Sequence, residues 1–159
     1  MSKLTYDESR GELRIEGGQR QAAIDVTRLC QHLDTLVGLK VAETIMDNHE
    51  RRLGREDAER IRNMNPSGKV EDVVRALIEE ERSVGFGVVQ IRLPESPVEP
   101  IKFEVINPIM NADAGAGKGL VLSYWSAALS FFLGRQLEAT NVNYDSVKNT
   151  LAADFKNKQ

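Results

Sequence analysis

The sequence predicts one domain of the α/β (α+β) class. Three observations carry this. Residues 119–133, GLVLSYWSAALSFFL, are apolar on nearly every face. Residues 70–84 form a clean amphipathic helix, with Val70, Val73, Val74, Leu77 and Ile78 at i, i+3, i+4, i+7 and i+8. Residues 87–93 and 101–106 alternate apolar and polar, and pair as a hairpin across a loop that holds Pro94, Pro97 and Pro100. The chain has 159 residues, enough to bury a core without staples. It shows no internal repeat and no domain boundary, so 1–159 reads as a single domain.

The elements follow in order. Leu4, Tyr6, Leu13 and Ile15 alternate with polar residues around a turn at Ser9-Arg10-Gly11, and residues 22–26 suit a third short strand after Gly17-Gly18. Thr27 reads as a helix N-cap. Leu29, Leu33, Leu36, Val37, Val41 and Ile45 recur at helical spacing, with Gly38 interrupting. This helix is expected to end near Gly54, as a C′ glycine. Residues 55–64 are charged and partly helical, and Asn65-Pro66-Ser67-Gly68 is a break. The amphipathic helix then stops at Gly85-Phe86-Gly87. Asn107-Pro108 closes the hairpin as a turn. Residues 111–118 are small and lead into the apolar helix, which Gly134 ends. Residues 137–142 and 151–155 suit two final strands, with helix an alternative for 147–154.

The apolar helix holds the only Trp, Trp125, and two of five Phe. At about 1.5 Å per residue it spans roughly 20 Å, short of a bilayer core of about 30 Å, so no membrane insertion is expected. It is either a plain core helix or the wall of an apolar pocket. Trp125, Leu129 and Phe132 share one face at i, i+4 and i+7, and are the pocket candidates. Leu33, Val37 and Val41 are the expected facing wall.

Net charge is −3, which supplies no electrostatic reason for nucleic acid. One cysteine, Cys30, excludes an internal disulfide, and residues 1–25 lack a secretory apolar run; a cytoplasmic setting is expected. Cys30 lies beside Leu29 and Leu33 and reads as a small buried hydrophobe. His32 and His49 do not share a helix face and start no HExxH motif. Ala114-Gly115-Ala116-Gly117-Lys118-Gly119 fails as a phosphate loop, because Ala112 replaces the first glycine and Gly119 the hydroxyl. A dinucleotide fingerprint fails at Leu120. Glu79-Glu80-Glu81 reads as a solvated helix face. No nucleophile elbow or spaced carboxylate pair is visible, so no cofactor and no catalytic residue are expected.

The order of these elements, with VGLKVAETI (37–45), GFGVVQI (85–91), FEVINP (103–108) and the Leu133-Gly134 helix end, resembles the 4-vinyl reductase-like, hydrocarbon-binding domain, related in fold to the TRAPP vesicle-tethering subunits. The resemblance implies an antiparallel sheet packed against a helical layer. It also implies a homodimer formed through helices and a pocket for hydrocarbon-like ligands: phenols in bacterial transcription activators, acyl chains in trafficking relatives. Zinc-bearing members carry a glutamate and two cysteines before a terminal aromatic. Set against Phe155, those places hold Val142, Asp145 and Ala153, so a zinc-free member is expected. The leading expectation is a non-catalytic, dimeric sensor or carrier of a small apolar or lipid-like ligand. The alternatives are a dimeric scaffold without ligand and an enzyme of tetrapyrrole metabolism.

Overall fold

A computed structural model describes residues 4–7, 12–15, 20–21, 26–83, 87–108 and 117–158. Strands β1 (Leu4–Asp7), β2 (Glu12–Ile15) and β3 (Arg20–Gln21) form a small antiparallel sheet in the order β1-β2-β3. Helices α1 (Val26–Val37), α2 (Leu39–Met64) and α3 (Val70–Ser83) follow. Strands β4 (Val88–Arg92) and β5 (Ile101–Ile106) come next, then α4 (Gly117–Leu133), β6 (Leu137–Asp145) and β7 (Thr150–Asn157). The second sheet is antiparallel throughout, in the order β4-β5-β7-β6. The α+β expectation holds, with an open four-stranded sheet packed against helices.

The hairpin forms as expected, with Val89 opposite Val105 and Ile91 opposite Phe103. Period-two alternation sends Ile101, Phe103 and Val105 of β5 to the inner face, where they meet Phe155, Ala153 and Leu151 of β7. The segment that also suited a helix, 147–154, turns and becomes strand β7.

Helix α4 is sandwiched. The sheet core lies on one side, and α2 and α3 pack on the other. This explains why it is apolar all round: Leu120, Val121, Leu122, Tyr124, Trp125, Ala128, Leu129 and Phe132 are all buried. Gly134, at φ +64°, ends it in a conformation that costs other residues more.

One sequence reading is settled and two change. The break at Gly38 does separate two helices, and its φ of +81° is the reason a glycine stands there. The second helix, however, does not stop at Gly54. It runs 26 residues to Met64, and the charged stretch 55–64 belongs to it. Gly54 is buried mid-helix against the backbone of Tyr124: an added Cβ would lie 2.9 Å from the Tyr124 carbonyl carbon. It is a close-approach glycine, not a cap. Lastly, α1 begins at Val26, which places Thr27 inside the helix; a strand is present at Arg20–Gln21, and 22–25 of the expected third strand lie outside the described residues. The turns at 9–11 and 17–18, the 85–86 stop, most of the 111–118 loop and the Cys30 side chain lie outside the described residues.

Candidate ligand site on the central helix

α4 is the element where apolar bulk and buried polar groups meet. On its sheet side, Trp125 is 1% exposed. Its ring lies 6.0 Å from that of Phe103 and 5.6 Å from that of Tyr124, and Phe103 in turn meets Phe155 edge-on at 5.4 Å. Leu129 and Phe132 join the same core cluster. The Arg62 guanidinium stands 5.8 Å from the Phe132 ring centre, a cation–π distance that ties the lower half of α2 to α4.

The facing wall is placed differently. Leu33 is half-buried, while Val37 and Val41 are 43% and 50% exposed, and none of the three belongs to the core cluster that holds Trp125. The cause is geometric. α1 packs on α2, and Gly38 turns the chain between them, so this apolar stripe faces outward beside Leu36 and Leu39.

On the helix side of α4 lies a cluster that the sequence reading missed. Glu50 of α2 and Glu81 of α3 are only 6% and 5% exposed. Glu81 was read as part of a solvated Glu79–Glu81 face. In the structure Glu79 is exposed and Glu80 accepts from Arg60 at 2.6 Å, but Glu81 points inward and its Oε1 accepts the Tyr124 hydroxyl at 2.5 Å. The phenol oxygen is also 3.1 Å from Asp57 Oδ2, and Asp57 Oδ1 accepts from Arg60 at 2.9 Å. Ser123 donates to Asp47, which Arg51 also holds at 2.9 Å. The available signal was spacing. Glu81 continues the Val70–Val74–Leu77 stripe by four residues, and Glu50 sits on the stripe Ala42, Met46, Gly54, Ala58 of α2.

Burial pushes the Glu81 carboxyl up to about 7; the Tyr124 hydrogen bond opposes this, and the Asp57, Glu80 and Glu50 charges add to it. Burial likewise raises Glu50 to about 7, with help from Asp57. The Tyr124 hydroxyl is pushed far up, first by burial and then by the Glu81 and Asp57 charges, so it stays a neutral donor. For Asp47, burial acts upward but is outweighed by the Arg51 and Ser123 hydrogen bonds, and its carboxyl is held below the usual range.

A surface concavity of about 550 Å³ lies elsewhere, at the loop end of the β4–β5 hairpin, lined by Arg92, Pro94, Glu99 and Lys102 among others. Among the described residues no group of three or more His, Cys, Asp or Glu side chains is arranged to hold a metal ion. The three places that carry zinc ligands elsewhere have other uses: Val142 is 43% exposed, Ala153 is in the core, and Asp145 Oδ1 accepts from the Val147 and Lys148 backbone at 3.0 and 3.1 Å. No described helix is long and apolar enough to cross a membrane.

Helices over an antiparallel sheet, with a buried aromatic helix between them, define an open-sheet α+β fold. A solved structure with this architecture is the phenol-responsive sensory domain of the transcription activator PoxR, crystallised with phenol. The two superpose with a TM-score of 0.66 at 12% identity, over 96% of this chain and 84% of that one. No protein-family model matches the sequence, and no curated protein does.

Proposed function

We propose that this chain is a non-catalytic binding domain for a small apolar molecule, belonging to the hydrocarbon-binding, 4-vinyl reductase-like group, and that it works as a homodimer. The observation that carries the reading is the superposition on a phenol-responsive sensory domain across nearly the whole chain. The ligand rests against the Trp125, Leu129 and Phe132 face of α4. The aromatic rings there supply apolar contact at low entropic cost.

The dimer rests on a second observation. Leu29, Leu36, Val37, Leu39, Val41 and Ile45 are each 40–79% exposed, and all lie on α1 or the start of α2. Exposed apolar side chains concentrated on two successive helices mark an interaction surface, and obligate dimer interfaces are large and apolar.

Solvent extraction of the purified protein followed by mass spectrometry is expected to recover a bound apolar molecule. Titration with phenol or a longer apolar probe should change the emission of the single tryptophan, Trp125, in a saturable way. Trp125→Ala then abolishes recovery of the bound molecule by extraction, with a modest stability loss. The scaffold reading is favoured by the tight ring packing around Trp125. Under it, extraction yields nothing, no probe alters the emission, and Trp125→Ala costs roughly 3–5 kcal/mol, the range for emptying a solid core site.

A further inference from the structure

The junction of α2, α3 and α4 has a hydrogen count that does not close with both acids ionised. The Tyr124 oxygen lies within hydrogen-bond distance of two carboxylate oxygens, Glu81 Oε1 at 2.5 Å and Asp57 Oδ2 at 3.1 Å. A phenol brings one hydrogen. It can donate to one of them; the other contact is then oxygen against oxygen, in a site where Glu81 is 5% exposed. The conflict disappears when one carboxyl carries its own proton.

The surroundings decide which one. From α2, Asp57 is paired with the Arg60 guanidinium at 2.9 Å. Glu81 has no cation partner among the described residues, and its Oε2 is buried without a hydrogen bond. Arg60 reaches toward α3, but it is taken there by Glu80 at 2.6 Å. The other charged group near the junction is Glu50 of α2, itself buried, with the His49 ring 3.9 Å away on its solvent side. Among the described residues, α4 contributes the neutral Tyr124.

We propose that α3 is clamped onto α2 and α4 by a proton on Glu81, relayed as Glu81 to the Tyr124 oxygen and the Tyr124 hydroxyl to Asp57, so that the three-helix junction tightens in acid and loosens above neutrality. The release is one proton to solvent per clamp. It leaves Glu81 a buried anion beside Asp57, Glu80 and Glu50.

The direction of the pH dependence follows. The Glu81 carboxyl is raised from 4.5 to about 7 in the folded chain. The folded protein therefore keeps a proton that the unfolded chain releases near 4.5. The clamp contributes fully below that pH and is lost as pH rises through about 7. For one such carboxyl the unfolding constant grows on the order of 100-fold across the window. Glu50 adds in the same direction.

The test uses the full chain. Carboxyl carbon NMR of the wild type between pH 4 and 9 is expected to show two glutamates with midpoints near 7, of which Glu81→Gln removes one. Amide exchange in α3, corrected for intrinsic rates, is expected to show protection falling between pH 5 and 8. Glu81→Gln, whose amide N–H donates to the Tyr124 oxygen without a charge, is expected to keep α3 protected at pH 8 and flatten the profile. Tyr124→Phe removes the relay and is expected to shift the Glu81 midpoint. Should Glu81→Gln fail to fold, the wild-type titration and Tyr124→Phe decide the matter. The proposal is overturned if every glutamate of the wild type titrates below pH 5.5, if the midpoint is indifferent to Tyr124→Phe, or if Glu81→Gln retains the wild-type pH profile.

Discussion

Gly54 sets the distance between α2 and α4. A methyl group there would meet the Tyr124 backbone, its Cα at 3.1 Å, and backbone yields less readily than a side chain tip. Gly54→Ala gains helix propensity, worth about 1 kcal/mol. The overpacking, typically about 1–3 kcal/mol and more against rigid backbone, outweighs it. Denaturant unfolding should therefore show a net loss, where an exposed helical glycine would show a gain. A glycine amid charges looks like a helix end in one dimension. Only the neighbour in space, α4, shows that it is a contact. Glu81 was hidden for a related reason. A triple glutamate is solvated on most helices, and its burial here depends on a phenol from α4 and an acid from α2 that lie 43 and 24 residues away.

At the scale of elements, the apolar helix, the amphipathic helix and the hairpin were all legible, because each carries its partner's demand in its own pattern. Alternation in β5 needs one dry face; α4 needs two. The length of α2 was harder to see. Its buried stripe is Ala42, Met46, Glu50, Gly54, Ala58 and Ile61, mostly small or polar, so periodic hydrophobicity nearly vanishes while close helix packing is favoured. The stripe of α1 and the head of α2 was legible as apolar, but not as outward-facing. Its predicted behaviour follows from that exposure. Leu36→Glu combined with Ile45→Glu is expected to convert a dimer to a 17.7 kDa monomer in sedimentation at micromolar concentration, with little loss of protomer stability, since these side chains are 79% and 45% exposed. A wild-type protein that already sediments as a monomer would remove the dimer reading.

For the molecule as a whole, metal analysis after dialysis is expected to find no stoichiometric zinc. The three places that would supply ligands are a surface valine, a turn-forming aspartate and a core alanine; about one zinc per chain would show that carboxylates and histidines assemble a mixed site instead. The class of fold and the identity of the central helix were determined by the sequence alone, because hydrophobic periodicity is a local record of how many faces an element must bury. Where the charged and outward groups end up was decided only by the tertiary structure. Whether Glu81 meets water or Tyr124, and whether Val37 and Val41 meet Trp125 or solvent, depends on how three helices are turned about their axes. That rotation is set by the total burial of all elements at once, and no single segment encodes it.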